Sequence, residues 1–129
     1  MLIREGLRDV PTMKAVMGTM SDADISAVAG HYSALPKIPM ASAVRQDQRL
    51  RGAEISRRAL CGTCHLADYT GQNQVPRLAG QNEAYLLTAL KQFRDHPGPG
   101  RDTIMSATLM GMTDRDLEDL AHYFAVSRP

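Results

Sequence analysis

The chain has 129 residues, a length that accommodates one domain or one domain with part of a second. Its formal net charge of +1 favours neither nucleic acid nor an acidic membrane surface as a partner, and no stretch approaches the roughly 20 apolar residues that span a bilayer. With 5% aromatic residues and 8 Met among 43% hydrophobic residues, the composition is typical of a small helical protein with an adaptable core.

A first helix is predicted after Ser21. Ser21 is a favourable N-cap residue, and Asp24 three positions later completes a shortened capping box. Apolar residues then recur at helical spacing and predict a face that packs on a core: Ile25, Val28, Ala29 and Tyr32.

This helix is part of an internal repeat. Residues 13–32 align with residues 105–124 at an offset of 92, and six of the twenty positions are identical, Met13 with Met105 among them. Residues 1–34 are therefore interpreted as the back half of a domain, without a Cys-x-x-Cys-His motif of its own, whose complete copy is residues 51–129. The segment 35–50, which contains two prolines and a polar run, is predicted to link the two.

The complete copy contains the most informative motif of the chain. A predicted helix of about 10 residues runs into Cys61-Gly-Thr-Cys64-His65, and two cysteines at this spacing followed by histidine are the attachment signature of c-type haem. Cys61 and Cys64 are spaced to form thioethers with the two vinyl groups of a porphyrin. His65 then lies below the iron as an axial ligand.

Two other uses of this motif are alternatives to haem attachment. A redox dithiol of the thioredoxin type follows a strand in a βαβ pattern, whereas the flanks of this motif are predicted to be helical. A zinc site needs a second pair of ligands, whereas His31, His96 and His122 occur singly along the chain.

Two further helices are predicted after the motif. A polar loop at 68–74 leads to a helix over 83–94 whose apolar side comprises Tyr85, Leu86, Ala89, Leu90 and Phe93. Residues 96–100 break the chain, and residues 102–112 are predicted to be irregular and Met-rich. The last helix is capped by Thr113 with Asp116 and buries a stripe of Leu117, Leu120, Ala121 and Phe124.

The sixth position on an iron bound at His65 is assigned to Met105. A thioether is a soft, neutral ligand that favours ferrous iron and raises the reduction potential. Met110 and Met112 are alternatives, although both are expected to fill the core. His96 is a further alternative, although a solvated loop is the expected place for it. His122 and His31 are predicted to be structural.

The complete copy resembles the class I cytochromes c, and the di-haem cytochromes of the c4 type in particular. The resemblance rests on Cys61-x-x-Cys64-His65, Pro76-x-Leu78-x-Gly80-Gln81-x-x-x-Tyr85, Phe93-Arg94, Arg101, Met105 and Asp114-x-Asp116 before Ala121-x-Tyr123. It implies an all-α fold, a small helical bundle around one covalently bound haem c, with His65 and Met105 as axial ligands. It also implies that the Pro76 carbonyl orients His65, and it allows Arg77 to approach a haem propionate.

The resemblance implies a one-electron carrier of the bacterial periplasm rather than an enzyme. Its partners would be a respiratory electron donor and a terminal oxidase or reductase, and the sequence leaves open whether it is a monomer or a dimer. Residues 1–6 lack the pattern of a signal peptide, so a leader is expected to have been removed or lost by truncation. The alternatives are a haem-relay subunit or severed domain of a larger periplasmic dehydrogenase or reductase complex, and a thiol-disulfide oxidoreductase.

Overall fold

The structure is a computed structural model that describes residues 3–4, 10–39 and 43–128. Within these residues every regular element is a helix, as the sequence predicted: α1 (Pro11–Met17), α2 (Asp22–Ala34), α3 (Gln46–Arg58), α4 (Cys61–His65), α5 (Glu83–Asp95), α6 (Thr103–Leu109) and α7 (Asp114–Val126). The chain divides into two compact units. The N-terminal unit comprises residues 1–37 with 98–103, and the main unit comprises residues 38–97 with 104–129.

The N-terminal unit contains α1 and α2. The predicted cap of α2 is present, because the Ser21 hydroxyl accepts from the Asp24 amide while the Asp24 carboxylate accepts from the Ser21 amide. The predicted core-facing stripe is wrong for this helix, since α2 has no buried residue and Tyr32 is 66% exposed. An apolar stripe is buried only where another element covers it, and the sequence pattern does not supply that element.

The main unit is built on α3, α5 and α7, with α7 packed against both of the others. The helices over 83–94 and after Thr113 are confirmed, and the whole predicted stripe of α7 is buried. The α5 stripe is only partly correct, because Leu86 and Leu90 are buried whereas Tyr85 is exposed. The core comprises Ile55, Leu78, Leu86, Leu90, Leu109, Leu117, Leu120, Ala121, Phe124 and Ala125.

In the main unit one helix begins earlier than the sequence indicated, and one local prediction is wrong. Helix α3 begins at Gln46, so residues 46–50 of the predicted linker are helical, because a polar run of Gln, Arg and Asp also suits a solvent-facing helical turn. Residues 103–109, predicted to be irregular, form α6, whose Leu109 is buried in the core. That helix is too short to show a clear periodicity in sequence.

Candidate haem site

The two cysteines lie on the short helix α4, which follows α3 after a sharp turn. Leu60 makes this turn with a left-handed backbone conformation, φ 56°. Cys61 is half-buried against the core, and Cys64 is exposed. Burial raises the pKa of the Cys61 thiol, and a hydrogen bond with the Ser56 hydroxyl opposes that shift. Both thiols are free, one on the surface of the core and one facing solvent.

His65 ends α4 and is held by the loop that follows. Its side chain is buried, and Nδ1 lies 2.8 Å from the carbonyl oxygen of Pro76. A carbonyl only accepts, so Nδ1 donates, and in the neutral ring the lone pair is then on Nε2. An imidazole with Nε2 unprotonated and its plane fixed by a second bond is the form that binds a metal.

The loop between α4 and α5 is folded back on the motif by its backbone. The Gly71 amide donates to the His65 carbonyl at 3.1 Å, and the Gln72 side-chain amide donates to the Cys64 carbonyl at 3.1 Å. Gly71 has a φ of 77°, which favours glycine at this position. The loop therefore fixes both the backbone and the ring of His65.

Arg77 follows Pro76 in the same loop and is partly exposed. Its Nε donates to the Ala79 carbonyl at 2.8 Å, which holds the guanidinium against its own loop. Arg77 therefore lies directly after Pro76, the residue whose carbonyl holds the His65 ring.

The candidates for the sixth ligand of the iron differ in how far their side chains are buried. Met105, on α6, and Met112 are both partly buried and pack against the same core as Cys61. Met110 is 74% exposed, and His96 is exposed directly after α5.

The other two histidines differ from each other. His122 is fully buried in the main unit, as expected of a structural residue: it accepts from the Arg45 amide at Nε2 (3.0 Å), and Nδ1 lies 3.1 Å from the Glu83 carboxylate. His31 is exposed on α2, so the prediction of a packed structural role is wrong there. The apolar stripe of α2 is exposed because no other element covers it.

Ser106, next to Met105 on α6, provides a test of whether the chain suits a cofactor. Its hydroxyl is the one buried side-chain oxygen or nitrogen in the described part of the chain that has no hydrogen-bond partner. A buried hydroxyl without a partner is costly, so such groups mark places where a missing partner belongs. The unsatisfied Ser106, the fixed imidazole of His65 and the two free thiols together fit a covalently attached haem.

Sequence reasoning did not single out the polar residues beside Cys61. Ser56 is buried on α3, with its Oγ 3.0 Å from the Tyr69 hydroxyl, and the Tyr123 hydroxyl lies 3.4 Å from that of Tyr69. The signal available in the sequence was the place of Ser56 on the apolar helix face that Gly52 and Ile55 form. A buried hydroxyl on such a face needs a hydrogen-bond partner.

The fold and the site define an all-α protein that holds a porphyrin iron through a Cys-x-x-Cys-His motif. The family model for cytochrome c matches residues 50–125, so the chain belongs to the cytochrome c family. It is a class I c-type cytochrome related to the cytochromes c4, and the spacing of Cys61, Cys64 and His65 fits one covalently bound haem c.

Curated relatives support this assignment along different parts of the chain. Cytochrome c4 of Pseudomonas aeruginosa is 40% identical over 73 residues, which are 54% of this chain and 34% of that protein. Cytochrome c-554(548) of Halomonas halodenitrificans is 33% identical over 67 residues, 50% of this chain and 81% of that protein. The thiosulfate dehydrogenase electron acceptor of Stutzerimonas stutzeri is 29% identical over 132 residues, 95% of this chain and 61% of that protein.

Solved structures share the fold. Cytochrome c4 of Acidithiobacillus ferrooxidans superposes with a TM-score of 0.82 at 23% identity, covering 97% of this chain and 78% of that one. Thiosulfate dehydrogenase of Marichromatium purpuratum superposes with a TM-score of 0.81 at 27% identity, covering 98% of this chain and 29% of that one. The chain spans about a third of the length of the cytochromes c4 to which its sequence aligns. Within the described ranges, none of the helices has the length and apolar character needed to cross a membrane.

Proposed function

We propose that the chain is a one-electron carrier of the bacterial periplasm in which His65 and Met105 are the axial ligands of the haem iron. The observation that carries the proposal is the contact of 2.8 Å between His65 Nδ1 and the Pro76 carbonyl, which leaves Nε2 as the metal-binding nitrogen. Haem c supplies an iron that takes up and releases one electron. The chain holds that iron, limits its contact with water and sets its ligands.

Met105 is preferred as the second axial ligand because its side chain is partly buried and because it aligns with Met13 in the internal repeat. It packs against the core that also contacts Cys61, and it lies two residues inside α6, which fixes its backbone. Met112 is also partly buried but lies after α6, at the turn into α7. A thioether ligand would raise the potential and leave no open site for oxygen.

The remaining site residues have supporting roles in the proposal. Cys61 and Cys64 form the thioethers, Pro76 orients His65, and Arg77 is available to a haem propionate at the edge of the loop. A thiol-disulfide oxidoreductase needs a cysteine whose pKa is lowered, whereas burial raises the pKa of Cys61. That direction favours haem attachment over redox thiol chemistry.

We also propose the domain organisation of the chain. Residues 51–129 form the complete haem domain, residues 1–34 the counterpart of its back half, and 35–50 connect them, with the last five residues of that segment starting α3. The paired capping boxes of α2 and α7, Ser21 with Asp24 and Thr113 with Asp116, support the repeat. A variant without residues 1–37 should retain the haem spectrum of the full chain. Loss of the haem would contradict this organisation.

The partners proposed are redox proteins that bind weakly and briefly. A formal net charge of +1 predicts docking with modest salt dependence. A more specific alternative is a haem-relay subunit of a dehydrogenase complex. The similarity to a thiosulfate dehydrogenase electron acceptor, which covers 95% of this chain, favours that alternative over a general carrier.

One preparation tests the proposal. The full chain is produced in a bacterium that exports it and attaches haem c, and its mass, pyridine haemochrome spectrum and redox titration are measured. One covalent haem and a reversible one-electron transition are expected. Haem-free protein with two titratable thiols would contradict the proposal. Stable co-elution with a dehydrogenase on size-exclusion chromatography would favour the relay alternative.

A further inference from the structure

The helix that carries Met105 is followed by a short turn into α7. Gly111 makes this turn with a φ of 82°, and the Met112 amide then donates to the Leu109 carbonyl at 3.1 Å. That hydrogen bond joins the turn to the last residue of α6, and Leu109 itself is 1% exposed in the core. A displacement of Met112 would therefore be transmitted to the end of α6.

Arg94, in the last turn of α5, binds this turn through its guanidinium group. Nη1 donates to the Met112 carbonyl at 3.0 Å, Nη2 lies 2.7 Å from the Asp114 carboxylate, and Nε donates to Asp95 at 2.6 Å. The side chain is 17% exposed. A guanidinium presents five N–H donors in one rigid plane, so a single arginine can bind all three partners. Arg94 therefore joins α5 both to the turn after α6 and to the first residue of α7.

The donor that holds the Met112 carbonyl is permanently charged. Hydrogen bonds to Asp95 first, and to Asp114 second, raise the pKa of Arg94 above its already high ordinary value. Lys91 Nζ contacts the second Asp114 oxygen at 2.7 Å, which holds that carboxylate in place beside the guanidinium. A hydrogen bond from a charged donor is stronger than one between neutral groups. The contact between Arg94 and Met112 is therefore well suited to fix the turn.

A fixed turn matters because of the kind of ligand that Met105 supplies. A thioether is neutral and favours ferrous iron, so in the ferric state it is readily displaced. It stays in place only as long as the segment that carries it is held. An external ligand can take the position only in the fraction of molecules in which the methionine has left. The hold on the segment therefore sets how often the position is open.

We propose that Arg94 is a positioning residue that keeps Met105 at the haem iron by holding the turn after α6 to α5 through the Met112 carbonyl. The inference rests on the proposed function, since it takes Met105 as an axial ligand. It assigns to α5 a part in maintaining the ligand set of the iron, in addition to its packing against α7.

Cyanide binding to the ferric, haem-loaded full chain tests the inference. Arg94→Met removes all the donors of the guanidinium and should raise the apparent cyanide affinity by about tenfold or more, because a hydrogen bond from a charged group is lost. In this variant the near-infrared sulfur-to-iron band should also disappear on heating before the helices unfold. Arg94→Lys keeps the charge but not the planar set of donors, so its cyanide affinity should lie between those of the wild type and Arg94→Met.

Arg51→Met is the matched control for a general loss of stability. Arg51 joins α3 to α7 through two hydrogen bonds to Asp119, at 2.6 and 3.0 Å, much as Arg94 joins α5 to α7. The variant should unfold at a lower temperature and keep the cyanide affinity and the near-infrared band of the wild type.

A role of Arg94 limited to stability would give a different pattern. Arg94→Met would then unfold at a lower temperature while its cyanide affinity stayed at the wild-type value, and that result would overturn the inference. An equal rise in cyanide affinity in Arg51→Met would overturn it too. If Arg94→Met does not accumulate, the cyanide affinity of Arg94→Lys decides. A wild-type protein without the near-infrared band would instead contradict the proposed function.

Discussion

Gly71 and Pro76 lie backbone against backbone. A Cβ atom added to Gly71 would come within 2.6 Å of the Pro76 carbonyl carbon, a distance that real Cβ atoms do not show. The Gly71 amide donates a hydrogen bond to the His65 carbonyl, and the Pro76 carbonyl accepts one from His65 Nδ1. One glycine thus allows the loop to hold the proposed iron ligand at two points.

Replacing Gly71 by alanine should therefore disturb the histidine. The change adds backbone strain of about 1–2 kcal/mol at a φ of 77° and forces the Pro76 carbonyl away from Nδ1. We expect a lower free energy of unfolding in denaturant and a shifted haem reduction potential.

Gly111→Ala is the matched control for this change. Gly111 has a φ of 82° and nothing within 4 Å of an added Cβ, so it carries the backbone strain without the collision. It should lose stability and keep the potential. Equal potentials in the two variants would show that the Gly71 contact does not position His65.

A second close approach joins α3 to α7. A Cβ on Gly52 would collide with the Asp119 carbonyl oxygen and would lie 2.6 Å from the Tyr123 Cβ. Gly52→Ala should therefore push the two helices apart and destabilise the protein by about 1–3 kcal/mol in denaturant unfolding. Gly30→Ala, in α2 with open space around it, should be neutral or stabilising by up to about 1 kcal/mol. Similar losses in both variants would contradict the close packing.

The assignment of Met105 can be tested by its removal. Met105→Ala in the haem-loaded chain should abolish the near-infrared sulfur-to-iron band and lower the reduction potential, because the soft thioether ligand is lost. Met110→Ala changes an exposed methionine in the same segment and should leave both unchanged. A band that survives in Met105→Ala would move the assignment to Met112, which Met112→Ala then tests.

Much of the main unit could be predicted because its signals are local. Thr113 and Asp116 cap α7 through adjacent atoms, and the CGTCH motif needs only five residues to be recognised. Burial of α7 follows its periodic pattern because α3 and α5 cover it. The same pattern in α2 gave a wrong prediction, since exposure depends on neighbours that the pattern does not specify.

The residues around Cys61 could not be predicted for a related reason. The position of Tyr69 depends on a left-handed backbone that is fixed by hydrogen bonds to Leu78 and Ala79, about ten residues away. Its contact with Ser56 joins a loop to a helix that precedes it. Such a contact depends on the folded loop and not on the spacing of residue types.

His122 joins three parts of the main unit. Its Nε2 accepts from the Arg45 amide at the start of α3, and Nδ1 bonds Glu83 in the first turn of α5, while the ring is buried on α7. His122→Phe keeps an aromatic ring but leaves these groups without their partner, and it should cost about 1–3 kcal/mol in denaturant unfolding. His31→Ala, at an exposed position of α2, should change stability by less than about 0.5 kcal/mol. An equal effect of the two changes would contradict this role.

Lowering the pH should weaken the ion pairs by which Asp114 on α7 contacts α5. Its carboxylate contacts Lys91 Nζ and Arg94 Nη2, each at 2.7 Å, and these hydrogen bonds, that to Lys91 first, lower the pKa of Asp114 in the folded protein. The unfolded chain then takes up this proton at a higher pH than the folded chain does. The stabilisation is therefore complete above the unfolded value of about 4 and is lost as the pH falls below it.

Asp114→Asn removes this dependence. The variant should be less stable than the wild type at pH 7, and the difference in free energy of unfolding should shrink as the pH is lowered below about 4. Other carboxylates, such as Asp95 and Asp116, shift in the same direction, so the difference between the two proteins is the quantity to measure. Glu118→Gln, at an exposed position of the same helix, is the control. A difference that stays constant down to pH 2 would show that the ion pairs of Asp114 do not contribute to stability.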